Sequence, residues 1–431
     1  MVKNITIIGA GPSGLLLALY LLKRDVQYQV SIYERQCHPA TSLINKSRTF
    51  PLVINERGMR AIAEIPGLKD AVEKISLEIW GSIFHSSSGK ERKTTRTIPL
   101  ISLDRTALTK VFLDTLEQNY NSDRCKIYFD HACTGVDLIN KQATFTNSDL
   151  NSPITVDYDL IIGADGARSQ LRKSFQDLSL FQLEQKYINN SYKSINLSSI
   201  SSQDFKILEP DKIHTWRIKD GTVVILVPQY DGSVSGVIHF PRNNNQIMNL
   251  QNEGEVKHFF EQNFPQVAQF MSTSEMSTFF NRPNGNSLTV RCNPYHYDKF
   301  ALLIGDAAHA MSPSLGQGCN CALEDVRILN ELSNEYADQW GEILPEFTKR
   351  RVSDTQAIVK LSNYTLPSVS SLAIEFMIKQ RLAKILYKLF PQHFLPPLFD
   401  ALNDSSIAYK DILQQYQGWV SKVKKSQATF N

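Results

Sequence analysis

No two of the six cysteines form a C-x-x-C pair, and none stands in a ligand-spaced cluster. Positions 37, 125, 133, 292, 319 and 321 therefore read as reduced thiols, not as a disulfide framework or a metal site. That chemistry places the chain in the cytoplasm as an expectation, with no metal. Charge of one sign is equally scarce. Lys+Arg at 46 against Asp+Glu at 43 leave +3, too small an excess to mark a nucleic-acid binder. No run reaches the ~18 apolar residues of a membrane span. The stretch 15–22 (LLLALYLL) lacks a basic region beyond Lys3 and a small-residue cleavage site after it, so it reads as a buried helix and not a secretion signal. Internal repeats and long low-complexity tracts are missing too. An ordinary globular composition is left, 42% apolar and 21% charged, and 431 residues suffice for two or three domains.

The most informative stretch is 302–320, LLIGDAAHAMSPSLGQGCN. A short apolar strand runs into Gly305 and Asp306, a turn follows, and Gly316, Gln317 and Gly318 open a helix. An acid at a strand end accepts hydrogen bonds from a ribose or ribityl hydroxyl. Free N–H groups at a glycine-rich helix start suit an anion. One stretch is thus equipped for both the sugar-like chain and the charged ring edge of a flavin.

The opposite end of the chain carries a matching half. Residues 4–8 (NITII) form a short buried strand, and Gly9, Ala10, Gly11, Pro12, Ser13 and Gly14 fit G-x-G-x-x-G before a helix. The first two glycines permit the tight turn and close approach of a pyrophosphate, and Gly14 lets helix and strand pack closely. Glu34, with Arg35 beside it, closes a second apolar strand twenty residues past Gly14, the spacing of an acid that bonds a ribose 2′-OH. An acid there favours an unphosphorylated ribose, in FAD or in NAD alike.

Between the two halves, Arg48 is a loop cation within reach of flavin or phosphate. Asn55 caps a helix to about Ala63, and Asp104 caps another over 106–119 whose first residues include Arg105, a candidate phosphate ligand. The stretch 78–96 is strand-like, with a hairpin turn at 86–90. Strands over 126–130, 142–147 and 155–158 lead into DLIIGADGARS (159–169), a buried strand followed by a turn with Asp165 and Gly166. From 174 to 286 the texture is that of a meandering antiparallel sheet suited to roofing a pocket, with strands at 213–219, 222–228 and 233–241. Period-2 alternation puts Val223, Ile225 and Val227 on one strand face, and Ser235, Val237 and His239 on another. His239 is a candidate to bond a phenol or act as acid/base. Trp216 is a weaker candidate for the substrate wall, and His214 reads as a surface residue. His309 is expected to play a structural part beside Asp306. Cys319 and Cys321, at a helix start, allow a depressed thiol pKa or simple close packing on a flavin. The tail is helical. Its run from Ile374 to Phe390, with Lys379, Arg381, Lys384 and Lys388 on the more polar side, is either a peripheral membrane contact or a lid.

GAGPSG with Glu34, the DLIIGADGARS segment and the Gly305-Asp306 turn with its GQG stand in an order that resembles the single-component FAD-dependent aromatic hydroxylases, the para-hydroxybenzoate hydroxylase-like flavoprotein monooxygenases. The stretches Ile83-Phe84-His85-Ser86, 292–313 and 389–399 are most similar to kynurenine 3-monooxygenases. The resemblance implies FAD contacts at Gly9 to Gly14, Glu34, Arg105, Cys133, Asp306, Cys319 and Asn320. It ties the Asp165-Gly166 turn to both FAD and NAD(P)H, since no second G-x-G-x-x-G is present. It also implies a cycle in which NADPH or NADH reduces FAD and a flavin C4a-hydroperoxide hydroxylates an aromatic small molecule with O₂. Pro313, Leu315 and Gly316 would line the reacting ring face, and Ile225, Val237, His239, Leu315 and Trp216 the substrate. The substrate clamp departs from those enzymes. Ser82 stands at their carboxylate-binding arginine, 94–100 carries no tyrosine, Ser314 and Leu315 replace bulky aromatics, and Thr365 aligns with an asparagine.

The expected fold is α/β: a Rossmann-like FAD-binding domain in parts 1–75, 101–175 and 287–335, an antiparallel-sheet substrate domain from hairpin 76–100 and residues 176–286, and a C-terminal helical region, 336–431. A monomer or homodimer is expected. The competing functions are a same-fold halogenase or reductase, or a flavin- and ligand-binding protein without turnover. The W-x-W-x-I-P signature of halogenases is absent.

Overall fold

Three strand ends from distant parts of the chain lie side by side. In the computed structural model, which describes residues 3–24, 28–39, 51–86, 89–120, 123–147, 152–197, 208–243, 245–367 and 370–428, six strands form one sheet. Their order is His296–Tyr297, Ala301–Leu303, Leu160–Gly163, Asn4–Ile8, Gln29–Tyr33 and Cys125–Tyr128. All neighbours are parallel except the two-residue edge strand. Ile7 stands between Ile162 and Ile32, and Ile162 in turn beside Leu302. The central strands Asn4–Ile8, Leu160–Gly163 and Ala301–Leu303 are buried on both faces, which is why they read as apolar runs. Helix Pro12–Leu22 covers one face. It is apolar all round because the sheet lies on one side and helix Gly318–Glu335 on the other. The two predicted caps form: Asn55 Oδ1 accepts from the N–H groups of Arg57 and Gly58, and Asp104 Oδ1 from those of Thr106 and Ala107.

A second sheet of eight strands runs Gly285–Asn293, Gln182–Leu197, Val234–Pro241, Val223–Pro228, Lys212–Arg217, Leu77–His85, Glu91–Asp104, Pro51–Ile54. Its strand Gly285–Asn293 straddles the expected boundary at 286/287. The register puts Val223 opposite His239, Ile225 opposite Val237 and Val227 opposite Ser235, so the two alternating sets share one face. The opposite face is a closed core. Val224, Leu226, Trp216, Ile238 and Phe240 meet Phe259, Phe260, Phe264 and Phe279 there, from helices Glu253–Asn263 and Thr273–Asn281 and the turn between them. A small third sheet, His131–Asp137, Gln142–Asn147 and Pro153–Asp157, flanks the first.

Helices Trp340–Tyr364, Ser370–Leu389, Leu398–Asn403 and Tyr409–Ala428 form the C-terminal layer. Helix Ser370–Leu389 turns Phe376 inward to stack on Trp419 at 5.4 Å. Its other row faces out: Ile374, Ile378, Leu382, Ile385 and Leu389 are all more than half exposed. Among the described residues no helix is long and apolar enough to cross a membrane.

Candidate active site

The glycine turn is built so that nothing larger fits. Gly9 has φ +103°, and a Cβ there would lie 2.5 Å from the Ala164 carbonyl oxygen. A Cβ on Gly14 would lie 2.1 Å from the oxygen of Gly9. At Gly11 the space opens instead, and the nearest atom to a Cβ is an Arg105 guanidinium nitrogen at 4.0 Å. Free helix N–H groups beneath an arginine make an anion cradle. Pro12 supplies the first helical position. Glu34 tightens the turn: Oε2 accepts the Ala10 N–H at 2.8 Å and Oε1 the Gln36 N–H at 2.9 Å, while Arg35 is exposed. Each oxygen keeps a lone pair for a hydroxyl. Arg48 lies outside the described residues.

The distant Gly305 turn closes on this one. A Cβ on Gly305 would come within 3.3 Å of Ser13 Oγ and 3.1 Å of Ala322 Cβ. Asp306 is exposed at the strand end, 3.9 Å from where a Gly318 Cβ would sit, and helix Gly318–Glu335 starts there behind Gln317. Gly316, at φ +65°, turns the chain into it. Burial pushes the Cys319 thiol up to about 12, with Arg105 and Asp306 as the charges it feels. Of the two readings, close packing is the one that the upward shift favours, and Cys321 is raised by burial as well. Asn320 holds the corner before Asn55. Its Oδ1 accepts the Asn55 N–H at 2.9 Å, and its Nδ2 donates to Val53 O and Gly316 O.

The third turn joins them through Arg172, an arginine early in the helix after it to which the sequence assigned no role. Arg172 donates to Ala307 O at 2.7 Å and to Ala167 O at 2.6 Å, tying the Asp165-Gly166 turn to the Gly305-Asp306 turn. Asp165 Oδ2 accepts the Gln170 N–H at 2.6 Å. Its Oδ1 is buried without a partner, and burial raises the carboxyl. Cys133 is close enough to feel Asp165, and burial pushes its thiol up to about 12. Gly166, at φ +78°, leaves the turn open.

His309 pairs with Asp325, not with Asp306. Its Nε2 lies 2.6 Å from Asp325 Oδ2, which also accepts the Gly305 N–H at 2.8 Å. Arg351 donates to Asp325 Oδ1 at 2.7 Å and to Glu324 and Asp354, and Arg57 reaches Glu324 at 3.0 Å. This wholly buried network holds the Gly305 turn from behind. Asp325 is drawn below the usual carboxylate range by His309 and Arg351 against the cost of its burial, and His309 is raised chiefly by Asp325. Arg351 also donates to Cys321 Sγ at 3.3 Å, so two members of the His309, Cys321 and Asp325 cluster already serve a cation.

Opposite the turns stands the open face of the eight-stranded sheet, with Ile225 and His239 half-buried and Val237 buried. Tyr192 meets the His239 ring edge-on at 6.1 Å, and Arg105 and Arg168 are the charges it feels, which sets this face next to the phosphate side. Burial lowers His239 to about 4, so its ring is neutral at pH 7. Trp216 does not belong here. It lies on the closed face, bonded to Gln266 and stacked on His85 at 4.2 Å, because its register partner is Val224. His214 is fully buried beside it, not on the surface. Leu315 also departs from expectation. It packs with Met311 and Cys321 into the C-terminal core, leaving Pro313 and Gly316 as the exposed residues of that turn.

Comparison with known proteins fits this geometry. A family model described as "FAD binding domain" matches residues 2–361. A kynurenine 3-monooxygenase of Legionella pneumophila is 30% identical over 402 residues, spanning 91% of this chain and 86% of that protein. The chain belongs to this family of FAD-dependent monooxygenases. A kynurenine 3-monooxygenase of Anopheles gambiae is 28% identical across 97% of this chain and 85% of its own length. Two solved structures share the monooxygenase fold. The tetrameric form of 2-methyl-3-hydroxypyridine-5-carboxylic acid oxygenase has TM-score 0.68 at 17% identity, covering 89% of this chain and 93% of its own. A variant of Klebsiella pneumoniae HpxO, complexed with FAD, has TM-score 0.65 at 16% identity, covering 94% and 98%.

The residues present suit FAD. An anion cradle under Arg105, a hydroxyl-accepting acid at each of two strand ends and a helix start facing the space between them match its phosphates, sugar chains and ring edge in that order.

Proposed function

We propose that this monooxygenase hydroxylates an electron-rich aromatic small molecule, using NADPH or NADH and O₂. The observation that carries the reading is the meeting of three glycine–acid turns at one place, opposite a sheet face of Ile225, Val237 and His239. Bound FAD, reduced by a nicotinamide and reacted with O₂, supplies the oxidising equivalent. The chain's own residues do the rest. The helix start at Gly318 places a positive dipole end where the ring edge becomes negative. The apolar pair Ile225 and Val237 keeps water from the reacting face. Neutral His239, whose ring nitrogens have no hydrogen-bond partner among the described residues, accepts a hydrogen bond from a phenolic hydroxyl and orients the ring.

Purified yellow protein tests this. Aromatic-stimulated NADPH oxidation and O₂ uptake, with a product heavier by one oxygen, is the expected result. Tight ligand binding with no stimulated oxidation would mean a protein without turnover, and a halide-dependent product would mean halogenation. Kynurenine is the substrate named for the relatives. Ser82 in place of the arginine those enzymes are expected to carry argues for a different aromatic here.

The outward row of helix Ser370–Leu389, flanked by Lys379, Arg381, Lys384 and Lys388, suits the surface of an anionic membrane. The protein is expected to co-sediment with phosphatidylserine-containing vesicles and to lose this with Ile378→Asp plus Leu382→Asp. A wild type left in the supernatant sinks the idea.

A further inference from the structure

We propose a second ligand site, on the side of the eight-stranded sheet turned away from the flavin-binding turns, for a small carboxylic acid with a short apolar body. Lys193 is its principal cation. The site is independent of the hydroxylase reading.

Lys193 lies on strand Gln182–Leu197, opposite Ile238 of strand Val234–Pro241. Tyr192, one residue earlier, lies opposite His239 and meets its ring on the open face. Alternation therefore sends Lys193 the other way, toward the phenylalanine core to which Ile238 belongs. Only 8% of it is exposed. Its Nζ donates to the carbonyl oxygens of Phe279 and Phe280 at 3.0 and 3.2 Å, at the end of helix Thr273–Asn281. Those bonds use two of the three donors of an ammonium group. No carboxylate pairs with Lys193 among the described residues. Glu275 is taken by Arg282, which reaches its two oxygens at 3.0 and 3.3 Å. Arg282 is 6% exposed, and its Nε is buried with no partner. Two buried cations thus have one carboxylate between them, a costly arrangement unless a further anion completes it. Burial, and then the Arg282 charge, lower Lys193 to about 8.

Both cations line a cavity of about 220 Å³. Ile247, Leu250, Val256 and Phe280 give it apolar walls. Met248 and Asn284, both exposed, stand at its mouth, where Asn284 Nδ2 donates to Met248 Sδ at 3.2 Å. At the ~30 Å³ that a water occupies in the liquid, this space suits a ligand of about seven non-hydrogen atoms. The lining sets its chemistry. A carboxylate offers acceptors to the third Lys193 donor and to Arg282, and a chain of a few carbons covers the walls. An inorganic anion would leave the walls wet, and a neutral molecule would leave the cations unanswered.

Isothermal titration calorimetry of the holoenzyme at neutral pH tests this, with valerate, valeramide and inorganic phosphate as probes. Wild type should bind valerate at least about tenfold more tightly than valeramide, the worth of one charge-assisted hydrogen bond, and more tightly than phosphate. Lys193→Met should weaken valerate to the level of the amide. Asn284→Trp, an exposed substitution at the mouth, should weaken valerate and valeramide alike and leave the melting temperature unchanged. Overturning results are no saturable binding of valerate, equal affinity for acid and amide in wild type, phosphate binding as tightly as valerate, or wild-type affinity for valerate in either variant. Failure of the hydroxylase reading shows separately, as a missing oxygenated product, and moves none of these affinities.

Discussion

Valine at Gly14 gives a colourless protein. The Cβ it adds would sit 2.1 Å from the Gly9 oxygen, closer than any real contact, and both atoms belong to backbone held by sheet and helix. Strand and helix must separate, which breaks the turn that presents free N–H groups to a pyrophosphate. The expected loss of FAD affinity exceeds about a hundredfold, the scale set by losing several charge-assisted hydrogen bonds at once. Gly11→Ala separates folding from binding. Gly11 has φ −73°, which alanine adopts freely, and its new methyl meets nothing nearer than the Arg105 guanidinium. Its melting temperature should stay at the wild-type value while flavin affinity falls. Flavin absorbance per polypeptide, FAD titration and thermal melts of the apoproteins check both variants. A Gly14→Val protein that keeps stoichiometric flavin would falsify the cradle.

Arg351→Met should cost about 3–5 kcal/mol of unfolding free energy, the range for breaking a buried ion pair by removing one partner. Arg351 is 1% exposed and serves Asp325, Glu324 and Asp354 together. Without it three carboxylates remain inside with Arg57 and His309 to answer them. Lys349→Ala is the control: its pair with Glu346 is exposed on the lysine side and should change stability by no more than about 0.5 kcal/mol. Urea unfolding of both proteins decides it, and equal midpoints would refute the claim. The pH dependence has a definite sign. Asp325 is depressed, so its contribution is present above the unfolded carboxylate pKa and disappears as pH falls through the folded value. His309 is raised, so its contribution is full below the unfolded imidazole pKa and is lost as pH rises through the folded one. Stability from this pair is therefore greatest between the two limits.

The glycine turns were legible because their chemistry is local: a strand, a turn with no room for a side chain, a helix, and an acid at fixed spacing. The roof strands around Val223 and Val237 were legible through their alternation. Strand Gln182–Leu197 was not, because its polar first half is held by backbone pairing with strand Gly285–Asn293 on one edge and buries little. The helices of 253–281 were hidden inside a stretch whose neighbours alternate. Trp216 shows the limit most clearly. The side of the sheet it takes depends on strands Val223–Pro228 and Leu77–His85, the latter far away in sequence, and a period of two gives two faces without saying which is wet. Arg57 and Arg351 look like surface residues of amphipathic helices, and only the distant partners Glu324 and Asp325 show them to be internal. His309 was given a structural role correctly and the wrong carboxylate, since helix geometry brings Asp325 under it.

Ser13 against Gly305 also sets an order of events during synthesis. The nascent chain can complete its first βαβ unit early, yet the pocket that seats the isoalloxazine stays half-made until the ribosome has released Gly305 and the helix behind it. The two ends of this long span must meet before flavin can be captured, a closure whose entropy cost grows only slowly with length. Until then the apolar helix Pro12–Leu22 has one flank uncovered, and it is this flank that a chaperone would have to guard.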